Sequence, residues 1–180
     1  MIGAAQWFYI VFRIFHIGAG VAWVGSVYFL VVFVQPTSAA IGPAAAPFMT
    51  HLLGVRRLVD RILMLAAVTI LAGLILYLKD MNNAGGFGDW IGESQGLVFT
   101  IGALAAIAAV GIGLFGTRPA VQQLLEIGRR IGQATQEGGP PPPELAAQVP
   151  VLQARTKVLA RLSFALLVVA VIAMATAKYW

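Results

Sequence analysis

From residue 97 to residue 116 the chain runs through twenty residues without one charged side chain. A helix of ~20 residues crosses the ~30 Å hydrocarbon core of a bilayer, so this run alone selects lipid as the solvent. Three more apolar runs, each with one or two charged residues, lie at about 7–34, 58–78 and 159–177. The whole chain is 59% hydrophobic and 11% charged, against roughly 25% charged in soluble domains. The expected fold is an all-α integral membrane protein, a bundle of four transmembrane helices forming a single domain over residues 1–180. No stretch reads as a soluble enzyme domain. The N-terminus lacks a basic leader and a small-residue cleavage site, so its apolar run is taken as the first span.

The connecting segments carry the remaining signals. Helix 1 is expected to stop at Gln35-Pro36, where the ring and the missing N–H oppose further helix. It is longer than a span requires and is expected to tilt or protrude. After Pro43 and Pro47, an apolar stripe of Phe48, Leu52, Val55, Val59 and Ile62 with Arg56, Arg57, Asp60 and Arg61 beside it predicts an amphipathic approach continuous with helix 2. Residues 79–96 read as a glycine-rich turn with an interfacial Trp90. Helix 3 extends past Pro119 as an amphipathic arm to about residue 131. Gly138, Gly139 and the prolines 140–143 mark a flexible linker over about 132–150. Helix 4 ends in the interfacial anchor Lys178-Tyr179-Trp180.

Charge gives orientation rather than a nucleic-acid partner, although the net charge is +5. Arg56, Arg57, Arg61, Arg118, Arg129, Arg130, Arg155, Lys157 and Arg161 fall at one end of the bundle, with only Lys79 and Lys178 at the other. The positive-inside rule then places both long loops in the cytoplasm and both termini outside.

The chain has no cysteine, which removes disulfides, thiolate metal sites and covalent haem attachment. Its methionines are too dispersed for a copper path, and no span holds an acid pair for ion coupling. His16, however, lies inside helix 1, where an ionisable side chain is costly without a role or a partner. Helical spacing sets Arg13, His16, Gly20 and Trp23 on one face. That set suits b-type haem: His16 as axial ligand, Gly20 to admit the ring, Trp23 with Phe12 or Phe15 as walls, and Arg13 for a propionate. The alternative is that His16 hydrogen-bonds a neighbouring helix while Arg13 snorkels and the glycines serve packing. His51 is expected at the cytoplasmic surface, too far from His16 to share one haem within a protomer. It is kept as a ligand only for a second haem or for a partner protomer.

The run His16-x-x-Ala19-Gly20-x-x-Trp23-x-Gly25-x-x-Tyr28-Phe29, followed by Val34-Gln35-Pro36, resembles the first helix of a group of small bacterial membrane proteins. The group comprises the copper-resistance D-like proteins, the HemJ-type protoporphyrinogen oxidases and the membrane domain of PuuD-type urate oxidases. Residues 57–77, with Leu71-Ala72-Gly73-Leu74, are similar to its second helix. The resemblance implies a helical bundle of the bacterial inner membrane with His16 ligating non-covalent haem b. Helix 3 has no lysine where HemJ-like proteins carry a functional one, no cysteine serves a cytochrome c tail, and copper ligands are missing. The expected function is therefore redox or small-gas chemistry (oxygen or nitric oxide) at a His16 haem, in a homodimer with an electron-transfer partner. The rival is a cofactor-free scaffold or permease-like subunit acting through partner proteins, whose basic arm from Arg118 to Arg130 docks another protein or anionic lipid.

Overall fold

The computed structural model describes residues 3–180, nearly all helical and without a strand among them. Four helical stretches are long and apolar enough to span a membrane. The first is α1 (Ala4–Phe29), which passes through a π-turn (Leu30–Val34) into α2 (Gln35–Ile41). The chain bends at Gly42, whose φ of 68° is left-handed. It returns through a 3-10 turn (Gly42–Ala45), α3 (Ala46–Thr50) and a second π-turn (His51–Val55) to α4 (Leu58–Asn83). A short α5 (Phe87–Gly92) caps the end that carries the termini. Then α6 (Ser94–Ile112) runs through a third π-turn (Gly113–Thr117) into α7 (Arg118–Gln136). α8 (Pro143–Thr176) returns, closed by a 3-10 turn (Ala177–Tyr179).

Gln35-Pro36 does not stop helix 1, and the reason is the π-turn before it. Gln35 N–H reaches back to Leu30 O, one residue further than in an α-helix. The widened turn makes room for the Pro36 ring, which would otherwise meet the carbonyl four residues back. Arg118 N–H reaches Gly113 O in the same way just ahead of Pro119. The arm predicted beyond helix 3 is thus real and runs to Gln136. The expected linker of 132–150 shrinks to residues 137–142, because α8 already begins at Pro143. Proline suits the first helical position, where no N–H is needed, and Glu144 in the first turn complements the helix dipole.

Two other boundaries differ from expectation. The approach to helix 2 is not continuous, since Arg57 takes a left-handed φ of 50° and separates the second π-turn from α4. Trp90, expected at the interface, packs within the protein. It is 5% exposed, stacked on Phe99 and edge-on to Tyr77.

The helices associate as two antiparallel pairs, α1 with α4 and α6 with α8. The pairs share a core of Trp23, Val27, Ile62, Ala66, Ala105, Ala106, Ala109, Leu167 and Ala170. Small residues set the spacing: a Cβ at Gly102 would lie 3.0 Å from Ala173 Cβ, and one at Gly116 3.1 Å from Leu159. At 1.5 Å per residue α4 is ~39 Å long, close to the bilayer thickness, whereas Ser94–Gln136 is ~65 Å long. The excess lies at the arginine-rich end. There α7 and the first half of α8 form a hairpin around Ala120, Ile127 and Leu152, with Leu124, Ile131, Leu145 and Val149 against them.

Candidate functional site

The seam between α1 and α4 is built on residues seven, four and three apart on α1, which present one helical face. Tyr9, His16, Gly20 and Trp23 point into it in that order, and Asp80, Gly73, Thr69 and Ala66 follow on α4 in the opposite sense. Tyr9 Oη donates to Asp80 Oδ1 at 2.9 Å. His16 Nδ1 lies 2.8 Å from Thr69 O, and a Cβ at Gly20 would lie 3.4 Å from Thr69 Cγ2. Both Trp23 and Ala66 are in the shared core.

His16 is held from two directions. A backbone carbonyl only accepts, so Nδ1 carries the proton of this bond, and the tautomer this selects has its lone pair on Nε2. Nε2 has no hydrogen-bond partner among the described residues. The Nδ1–Cε1 edge of the ring also abuts the backbone of α4 at Gly73. A Cβ on Gly73 would stand 2.6 Å from both Nδ1 and Cε1, a separation no real side chain tolerates. Only glycine at 73 lets the imidazole reach Thr69 O. Thr69 Oγ1 is turned away and donates to Leu65 O at 2.8 Å. Along α4, Gly73 is ~9 Å from Lys79 and ~18 Å from Arg61, so His16 sits nearer the end with the termini.

A polar cluster lies about two turns from His16, toward that end. Asn83 Nδ2 donates to Tyr9 Oη at 3.0 Å, completing an Asn83–Tyr9–Asp80 chain between the helices. The Arg13 guanidinium lies 5.7 Å from the Tyr9 ring centroid and makes no salt bridge among the described residues. Gln6, Tyr9, Ile10, Arg13 and Asp80 line an open groove of about 490 Å³ here.

The structure divides the residues that helical spacing put on one face. His16 and Gly20 are in the α1–α4 seam, and Trp23, 4% exposed, is part of the packed core. Arg13 is exposed at the groove, and Phe12 is half-buried against Phe8, ring centroids 4.8 Å apart. Thr69 occupies the space Gly20 leaves, and Trp23 is enclosed by the core. Neither adjoins room for a flat macrocycle. His16 and Arg13 do fit a haem donor set: a fixed imidazole with a free lone pair, and an exposed cation one turn nearer the surface. His51 is exposed in the π-turn ahead of Arg56. It precedes α4 while His16 is level with Gly73, so more than 20 Å of helix separates them. No group of three or more His, Asp or Glu side chains among the described residues is placed to hold a metal ion.

Thr69 and Gly73 escaped the sequence reading because nothing within α4 reveals which residue of α1 it faces. A glycine four residues from a threonine inside an apolar span is the only local sign of a close approach. Tyr9 and Asp80 escaped for the same reason. Compared with known protein families, with curated proteins and with solved structures, the chain finds no match.

Proposed function

We propose that this is a haem-carrying membrane protein in which His16 Nε2 ligates the iron and Arg13 holds a propionate at the groove. One observation carries the reading: His16 donates Nδ1–H to the Thr69 carbonyl and keeps Nε2 unengaged. Metal-ligating histidines are oriented in this way, with the second ring nitrogen donated to a carbonyl or carboxylate that fixes the tautomer. Bound haem would supply a redox-active iron for electron transfer or for reaction with a small gas. The chain supplies orientation, through Thr69 O and the contact of the Nδ1–Cε1 edge with Gly73. Arg13 and the Tyr9–Asp80 pair supply charge and polarity at the open end. Gly20 and Trp23 have no part in this site. The reading includes the bacterial inner membrane, with the arginine-rich end in the cytoplasm as the charge asymmetry directs.

A cofactor-free bundle is the second reading, favoured by the dense packing at Gly20 and Trp23. In it His16 is an interhelical tie and nothing more. The optical spectrum of detergent-purified protein, expressed with haem in supply, decides between them. The haem reading expects a Soret band, a b-type pyridine haemochrome, and loss of both in His16→Ala with the bundle still folded. A colourless wild-type protein, or a His16→Ala protein with full haem content, overturns it.

A further inference from the structure

The carboxylates at the arginine-rich end are saturated. Asp60 receives Arg57 Nε at 3.0 Å and Arg118 Nε at 2.8 Å. Glu126 receives Arg129 at 2.7 Å and Arg130 at 2.8 Å. Glu137 and Glu144 are at the far tip of the hairpin, ~28 Å along α7 from Arg118. Arg56, Arg61, Arg155, Lys157 and Arg161, all exposed, form no salt bridge among the described residues. The three arginines of the arm predicted to be the cationic surface, Arg118, Arg129 and Arg130, are therefore all engaged with carboxylates. With Arg57 they make four arginines on two carboxylates, which leaves a net charge of +2 there. The five cations without a carboxylate stand where the bundle leaves the apolar spans.

Each of these cations borders bare apolar surface. Val55, 66% exposed, precedes Arg56. On α8 the row Lys157–Arg161 runs beside the row Val158–Leu162, and Val158 is 63% exposed. Gly116 lies against Leu159, which brings Phe115, 77% exposed, to the same depth. A soluble polyanion would satisfy the cations and leave these side chains in water. A phospholipid satisfies both, its phosphate on the ammonium and guanidinium groups and its chains on Phe115, Val158 and Leu162.

We infer that this belt is a binding site for anionic phospholipid head groups, with Arg155, Lys157 and Arg161 of α8 as its densest part. The inference stands apart from the haem reading. The test uses the full chain purified in detergent and offered equal phosphatidylglycerol and phosphatidylcholine, with retained lipid counted by native mass spectrometry. Wild-type protein is expected to retain the anionic lipid preferentially, less so as sodium chloride rises. Near an anionic surface each cation contributes roughly fivefold, so Arg155→Gln/Lys157→Gln/Arg161→Gln should lower the preference by roughly tenfold or more. Glu126→Gln/Arg129→Gln/Arg130→Gln, which removes a net charge of only +1 at a point ~16 Å along α7 from Arg118, should change it less than the triple substitution on α8. Equal retention of the two lipids by wild type overturns the inference, as does a preference that salt or the triple substitution leaves unchanged. Displacement of the lipid by millimolar inorganic phosphate also overturns it, because the site would then be one for free anions. The salt series needs only wild-type protein and decides the matter even where the triple variant does not fold.

Discussion

Replacing Gly73 with alanine places a methyl group where the His16 imidazole lies. The new Cβ would be 2.6 Å from Nδ1 and Cε1, and ordinary van der Waals contact begins near 3.4 Å. The ring must retreat ~0.8 Å, and it retreats at the atom that makes the 2.8 Å bond to Thr69 O, which stretches past hydrogen-bonding range. Loss of an interhelical hydrogen bond within a bilayer costs ~0.6 kcal/mol on average. Overpacking adds ~1–3 kcal/mol, and the better helix propensity of alanine returns ~1 kcal/mol. The net loss expected for Gly73→Ala is ~0.5–2.5 kcal/mol, read by equilibrium unfolding in mixed micelles. Gly111→Ala is the control, since a Cβ there meets nothing within 4 Å, and it should be neutral or slightly stabilising. The decisive comparison is a double-mutant cycle. With His16→Ala the methyl has room, so Gly73→Ala should then cost nothing. Additive effects, or a Gly73→Ala protein as stable as Gly111→Ala, would refute the contact argument.

Trp23→Ala should cost ~3–5 kcal/mol in the same unfolding assay, because it empties a large buried site; a loss under ~1 kcal/mol would mean that Trp23 is not core. In Gly96→Ala a methyl would collide with the Trp90 carbonyl and ring, so α5 should be unseated and the 84–93 segment should become sensitive to limited proteolysis. Asp60→Asn should lower stability by less than ~1 kcal/mol, because Asp60, Arg57 and Arg118 are all partly exposed to solvent; a larger loss by the same unfolding assay would show that the pair with Arg118 anchors α7 to α4.

The spans were legible because lipid imposes a rule the sequence must obey locally: an uncharged run such as residues 97–116 has no soluble alternative. The ends of the helices were not, for two reasons. Proline was read as a stop at Pro36, whereas a π-turn admits it, and a π-turn has no compositional mark. The start of α8 was hidden because Pro143 and Pro150 look like linker until Pro143 is placed at the first helical position, where proline is favoured. At the site, the depth of His16 and its need of a partner could be read within α1. The partner could not, because facing residues on two helices are fixed by packing register, which leaves no trace in either segment alone. Helical periodicity also groups residues within ~100° into one face, so Arg13 and Trp23 were joined although one is exposed at a groove and the other is enclosed.

The π-turns have a consequence for chain length. Each of Leu30–Val34 and Gly113–Thr117 spends one residue more than an α-helix over the same path, immediately ahead of Gln35-Pro36 and Arg118-Pro119. Deleting any single residue from either turn would restore α-helical spacing and drive the proline ring against the carbonyl four residues back. It would also turn the helix that follows by ~100° relative to the span before it, in the second case carrying Ile127 of α7 away from Leu152 of α8, which is itself held against α6. What these two segments conserve physically is a count of residues, and side-chain identity within them is secondary to it.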